Sequence, residues 1–571
     1  MKSFYLNKKF IILLFLLSFT FFLSQNFEGI SKKKPSKAKK NVPSKIINKD
    51  SAYSRLGIKD GIEEITKNLS ASKSRYGISV YSLDKQRFYY EKNSQTALVP
   101  ASNTKLVTTY LAFNYLGENY LCQTNVFIDG VLNSNGELLG DVYIVGGGDP
   151  LLCVSDIENL ADQMAAAGIK TVKGTIYGDG SLFDGIEARI AYSGDKDIVE
   201  PTPPISALSL ERNTATVFVK TAGGKLKTQV VPSSEAFGLS VNQGLKQQNN
   251  QKGESKKKVN NIKPPKAKKQ NQNNSKQKNS KPKKSSKKIK KISDSYPFND
   301  YTGFYGDSKT KSKKKAVGGL SISNSLNSEG RQIFSVNGSL SRNQSATRQF
   351  HFMKPALVVA GCLKNRMESG GIKVIGGIAE KKLPAENAMK LVATVSHSLK
   401  DVVMYVNKNS DNYLAESVFK LVGAIHGGAQ TNLESYRMLQ TKVFDSLGIN
   451  CPECKLNDGS GLSRRNKLTT NSLVGILAAA HKSRFANVFS SALAISSVDG
   501  TLRKRMYGSN AAGNVHAKTG THSNVSSLSG YLRAKNGEML AFAFIFNGGS
   551  LGEYKRIENE LCILLSNCKI E

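Results

Sequence analysis

Three short stretches that carry reactive side chains, Ser102-Asn-Thr-Lys105, Ser410-Asp-Asn412 and Lys518-Thr-Gly520, stand 308 and 108 residues apart. A chain that uses them together must fold distant segments onto one place, and that requirement constrains the architecture more than composition does. The first stretch sets the local chemistry. Leu106, Tyr110 and Phe113 follow it at helical spacing up to Gly117, so Ser102 and Lys105 mark the start of an amphipathic helix. Residues i and i+3 share a helix face, so the Lys105 amine can reach the Ser102 hydroxyl and accept its proton, while the helix N-terminus offers N–H groups to developing negative charge. Alone, the spacing equally describes a capped helix with a solvated lysine.

The later stretches sit in contexts that suit the first. Leu399, Val402, Val403 and Val406 share one helical face, Asn409-Ser410-Asp411-Asn412 interrupts it, and Leu414, Val418 and Leu421 resume the period. Ser410 and Asn412 therefore belong to a tight loop between two helices and can project together into a cleft. Asp458-Gly-Ser-Gly-Leu-Ser-Arg464 is a glycine-rich loop that allows close approach of another chain or a ligand; Arg464 can grip a carboxylate with two donors or form an ordinary surface pair. Val515–Thr521, Leu528–Leu532 and Met539–Phe546 read as strands, with Asn536-Gly537 at a type I′ turn. Tyr76–Ser82 and Arg87–Tyr90 read as a hairpin around Leu83–Gln86, and the chain closes on a helix with Ile557, Leu561 and Leu564 on one face.

Residues 123–385 have a different texture. Short alternating runs (Val142–Val145, Thr175–Tyr177, Thr216–Val219), the glycines 146–148, and two helical runs, Ile157–Ala167 and Pro355–Ser369, predict one or two β-rich domains inserted between 51–122 and 386–571, which form a single domain. Within the insertion, residues 244–316 are dominated by lysine, asparagine, glutamine and serine. That composition predicts disorder.

Charge matters here by its location. The formal net charge is +37, but residues 251–294 alone hold 17 lysines against two acidic residues, and residues 25–50 form a basic linker. Basicity confined to such segments, without interleaved aromatics and behind an export signal, argues against nucleic acid. It fits adhesion to an anionic wall polymer or lipid surface through 244–316, or a tolerated insertion. Lys2, Lys8 and Lys9 followed by an apolar run to Leu23 make residues 1–24 a signal peptide or an anchor and place the chain in the periplasm or on the extracytoplasmic face of the membrane. Seven cysteines, an odd and sparse set, exclude a disulfide scaffold. Cys451-Pro-Glu-Cys454 lacks the second pair that a zinc site needs, which leaves structural thiols or one local disulfide and no expected metal or cofactor.

In order and context the three motifs resemble those of penicillin-binding proteins and class A β-lactamases. The long insertion, the Asp458–Arg464 loop and Lys518-Thr-Gly-Thr521 are similar to class C low-molecular-mass penicillin-binding proteins, the D-alanyl-D-alanine carboxypeptidase/endopeptidase family. The likeness runs from about Tyr76 to the C-terminus, apart from the lysine-rich insertion, and takes in Gly148-Asp-Pro-Leu151, Pro204-Ile-Ser-Ala207 and Ser410–Phe419. It implies an α/β (α+β) serine β-lactamase/DD-peptidase-like transpeptidase domain, with helices on an antiparallel sheet, split by the insertion. It also implies roles. Ser102 attacks the carbonyl between two D-alanines of a peptidoglycan stem peptide, and water releases the acyl group; β-lactams acylate the same serine. Lys105 is the base, its pKa pushed down by burial and by the Lys518 cation. Ser410 relays the proton and Asn412 holds the substrate amide. The N–H groups of Ser102 and Thr521 form the oxyanion hole, and Thr519 and Ser523, flanking Gly520 and Thr521 with Arg464 nearby, meet the terminal carboxylate.

Where the family carries a tryptophan-containing segment with an aspartate for the third stem residue, this chain has no tryptophan and offers Ser193-Gly-Asp195-Lys-Asp197. Two other readings share the motifs: a serine β-lactamase, although nothing resembles the deacylating glutamate loop of class A enzymes, and a non-catalytic wall-binding protein.

Overall fold

The computed structural model describes residues 57–69, 74–196, 200–222, 224–243, 319–341, 344–384 and 389–569; the expectations for 1–24, 25–50 and 244–316 fall outside them. A six-stranded antiparallel sheet runs in the order Ala494–Ile495, His516–His522, Val525–Arg533, Met539–Asn547, Arg75–Ser82, Arg87–Lys92. The central strand shows why both faces must be covered. Leu540, Phe542, Phe544 and Phe546 point to a core shared with the Ile58–Thr66 and Leu551–Asn567 helices, while Ala541, Ala543 and Ile545 point to a second core with Leu473, Ile476 and Leu477 of the Thr470–Lys482 helix. Period-two alternation thus sorts bulky aromatics to one side and small residues to the other, where a helix can approach closely. The expected hairpin is present, with a bulge at Val80/Tyr81. Helices on an antiparallel sheet, drawn from both ends of the chain, are the architecture that the motifs implied.

Two local expectations are corrected. Asn536 does not take the positive φ that a type I′ turn requires; Gly537 alone does (φ 88°), and its N–H donates to the Ala534 carbonyl, so the connection is a type I turn closed by a left-handed glycine. The helix after Ser102 is not amphipathic: every residue from Thr104 to Phe113 is buried, because neighbouring helices enclose it on all sides.

The intervening chain builds a seven-stranded mixed sheet. Its antiparallel part pairs Leu121–Leu132 with both Glu137–Gly146 and Lys390–Ser398, and parallel pairings extend it through Thr171–Val172 and Ile176–Asp179. Two three-stranded sheets adjoin it, one of Ser345–His351, Thr214–Ala222 and Lys225–Val231, the other of Ser321–Leu326, Gln332–Gly338 and Phe237–Gln243. Both share a core with the Val154–Ala166 and Pro355–Ser369 helices. Cys451 and Cys454 form a disulfide; Cys122, Cys362, Cys562 and Cys568 are buried thiols. No helix among the described residues is long and apolar enough to cross a membrane.

Candidate active site

The Thr104–Leu116 helix is preceded by a 3₁₀ turn, Ala101–Asn103, which Ala101 enters with a left-handed φ of 47°. Ser102 and Lys105 straddle the junction, with Lys105 wholly buried beneath the serine. The Lys105 Nζ lies 2.9 Å from Ser102 Oγ, 2.7 Å from Asn412 Oδ1 and 2.5 Å from the Ser460 carbonyl. Burial pulls its pKa down to about 8, opposed by the negative charges of Glu416, Asp458, Asp411 and Glu200.

Ser410 and Asn412 arrive from the junction of the Leu399–Lys408 and Asn412–His426 helices, where Ser410 takes a left-handed φ of 59°. Asp411 caps the second helix by accepting from the Leu414 N–H at 3.0 Å, and Arg212 of the inserted region pairs with it at 2.6 Å. Lys518, on the His516–His522 strand, donates to Ser410 Oγ and to the Thr519 carbonyl, both at 2.8 Å. It too is wholly buried, and its pKa is lowered well below the usual lysine value by burial and then by the Lys105 cation. Two like charges disfavour each other, and the carboxylates around Lys105 oppose that effect and its burial.

The Asp458–Arg464 loop supplies the carbonyl that faces Lys105, and a buried charge network holds it. Glu416, one turn along the helix from Asn412, accepts from the Ser460 N–H at 2.8 Å, the Gly459 N–H at 3.2 Å and the Tyr192 hydroxyl at 2.8 Å. Asp458 accepts from the N–H groups of Gly461 and Ser463 at 2.9 and 2.7 Å and pairs with Arg189 at 3.1 Å. Burial pushes the Glu416 carboxyl up to about 7. Two glycines then bring backbone against the nucleophile. A Cβ on Gly461 would stand 2.0 Å from the Ala101 carbonyl oxygen, and one on Gly520 would stand 2.7 Å from the Pro100 oxygen and 3.0 Å from the Ser102 nitrogen.

These segments border a cleft of about 400 Å³ lined by Ser102, Glu200, Ser410, Asn412, Gly461, Leu462, Thr501, Thr519, Thr521 and His522. Thr519 donates to Thr501 Oγ1 at 2.9 Å, and His522 Nε2 is 3.0 Å from the Gly461 carbonyl. Three expected residues stand elsewhere. Arg464 and Ser523 are outside this lining, where Arg464 donates to Ser523 Oγ at 2.7 Å and to Asn524 at 2.8 Å. Asp195 is drawn into the network under the loop, bound by Arg189 at 2.6 Å and by the Ser463 hydroxyl at 2.7 Å. With both oxygens engaged, it does not enter the cleft.

Sequence reasoning missed Glu200, Thr501, His522 and Glu416. Only Glu416 left a signal, a charged residue four positions after Asn412 within an apolar helical period.

A serine hydroxyl against a buried, neutralisable amine, under helices that cover an antiparallel sheet, is the arrangement of a serine acyl-transfer enzyme. The chain belongs to the D-Ala-D-Ala carboxypeptidase 3 (S13) family, which it matches over residues 58–269 and 262–568. It is a serine-type D-Ala-D-Ala carboxypeptidase. It is 27% identical over 510 residues to the D-alanyl-D-alanine carboxypeptidase of Actinomadura sp. (strain R39), covering 88% of this chain and 83% of that one. Against the D-alanyl-D-alanine carboxypeptidase DacB of Haemophilus influenzae it is 21% identical over 496 residues, or 86% and 89% of the two chains. The crystal structure of penicillin binding protein 4 (dacB) from Haemophilus influenzae shares the fold, with a TM-score of 0.62 at 19% identity over 88% of this chain and 99% of that one.

Proposed function

We propose that Ser102 is the nucleophile of this DD-peptidase and that a peptidoglycan stem peptide lies between the Lys518–Thr521 strand and the Ser410–Asn412 loop. The surroundings of Lys105 carry this reading. A neutral amine has two N–H bonds and one lone pair, and the oxygens of Asn412 and Ser460 face it as two fixed acceptors. With both hydrogens so engaged, the lone pair is left for the Ser102 hydroxyl. A pKa of about 8 leaves roughly a tenth of the lysine neutral at pH 7.

Attack by Ser102 Oγ on the carbonyl between the D-alanines passes the serine proton to Lys105. The N–H groups of Ser102 and Thr521 receive the oxyanion, and Gly520 lets that strand approach closely enough. Collapse breaks the C–N bond. Ser410 relays to the leaving amine the proton that Lys105 took, which returns Lys105 to its neutral form, while Lys518 donates to Ser410 Oγ and holds it in place. Thr519 and Thr521 meet the terminal carboxylate, and Arg464 with Ser523 attracts it from outside the cleft. β-Lactams acylate the same serine. The catalytic domain is made of 51–122 and 386–571, apart from the Lys390–Ser398 strand, which joins the sheet of the inserted 123–385. Residues 1–24 export the chain to the periplasm or the outer face of the membrane, and 244–316 rest against an anionic wall polymer or lipid surface.

The test is D-alanine release from an acetylated stem pentapeptide. Ser102→Ala and Lys105→Met are each expected to lower the rate by about a thousandfold or more. Release at the wild-type rate from Ser102→Ala would place the nucleophile elsewhere.

A further inference from the structure

The reaction has two halves, and the geometry above accounts for only the first. Once Ser102 is acylated its Oγ is an ester oxygen, and Lys105 faces that oxygen, 2.9 Å away, with Asn412 and Ser460 on its other sides. An amine so placed is suited to returning a proton to Oγ as the ester breaks. Taking a proton from a water that approaches the acyl carbon from the open side of the cleft requires a second base.

We infer that Glu200 is that base, an inference that rests on Ser102 being the acylated residue. Among the described residues that line the cleft, Glu200 is the one carboxylate. Its Oε2 accepts from Asn412 Nδ2 at 2.6 Å, while Asn412 Oδ1 faces Lys105, so one carboxamide holds the carboxylate on one side and the amine on the other. His522 also lines the cleft, but its Nε2 is engaged with the Gly461 carbonyl, and the remaining polar side chains there are hydroxyls and the Asn412 amide. Glu200 takes one proton from water as the water oxygen bonds to the acyl carbon. The C–Oγ bond breaks with its electron pair on Oγ, and the proton travels from Glu200 through solvent to Lys105 and on to Oγ, which restores both groups and frees the acid.

Glu200→Gln separates this role from simple positioning, because the glutamine carbonyl can still accept from Asn412 Nδ2 while the base is gone. The full chain is mixed with a thioester D-alanine substrate, quenched at intervals and analysed by intact-protein and peptide mass spectrometry. The expected result is an adduct on Ser102 that forms within about threefold of the wild-type rate and decays about a hundredfold more slowly, the scale of lost general-base catalysis. Neutral hydroxylamine, which needs no base to attack, restores release in the variant. Equal adduct lifetimes in the two proteins, or a loss of acylation as large as the loss of decay, would overturn the role of Glu200 alone. No adduct on Ser102 in either protein would overturn the Ser102 reading and this inference with it.

Discussion

Gly461→Ala should disable acylation while leaving most of the fold standing. Gly461 has φ +84°, a region that costs an L-residue about 1 kcal/mol. The added Cβ would also lie 2.0 Å from the Ala101 oxygen, 2.5 Å from the Ala101 carbonyl carbon and 3.0 Å from the Ser102 nitrogen, the first about 1.4 Å short of ordinary contact. The loop cannot easily retreat, because Asp458 holds the Gly461 N–H at 2.9 Å and Glu416 holds the Ser460 N–H at 2.8 Å. The displacement therefore falls largely on Ala101–Ser102, the backbone that carries the nucleophile. A shift of about 1 Å at a reacting atom costs about a hundredfold in rate, or about 2.7 kcal/mol of barrier. The assay is the acylation rate with a fluorescent penicillin, run beside a thermal melt to confirm that the chain is folded. Acylation within threefold of wild type would show that the loop does not press on the nucleophile and would refute the reasoning.

Acylation requires neutral Lys105, so its rate should climb about tenfold per pH unit up to about 8 and then level, read from stopped-flow labelling; a profile flat from pH 6 to 9 would remove Lys105 as base. Glu416→Gln deletes an anion that raises the Lys105 pKa, so it should move that limb to lower pH, and a shift upward would contradict the charge assignment. Lys518→Arg and Lys518→Ala should both lose acylation by about a hundredfold, because a planar guanidinium cannot replace a wholly buried ammonium that donates to Ser410; retention by arginine would mean that charge alone matters there. Deleting residues 246–292 should leave soluble-peptide turnover intact and weaken retention on anionic vesicles at low salt; unchanged retention would reduce the lysines to a tolerated insertion.

What was legible in the sequence was what local spacing encodes. Ser102 and Lys105 share a helix face, Ser410 and Asn412 share one loop, and strand alternation marks the sheet, so these could be read without knowing where each segment docks. Glu200 reaches Asn412 across 212 residues and Arg189 reaches Asp458 across 269, and no short pattern announces such meetings. Asp195 shows the converse. Its position along the chain suggested a substrate contact, but a buried arginine and a serine hydroxyl claimed both of its oxygens. The carboxylates that ring Lys105, Glu416 and Asp458 foremost, likewise come from segments whose proximity only the fold reveals.

The central claim is that the Ser102 hydroxyl, activated by Lys105, forms the acyl-enzyme. The most direct measurement is to label the full chain with a fluorescent penicillin, digest it, and locate the adduct by mass spectrometry in wild type and in Lys105→Met. The account predicts a single adduct on Ser102 in the wild type and labelling slower by about a thousandfold or more in the variant. An adduct on another serine, or equal labelling without the Lys105 amine, would contradict it.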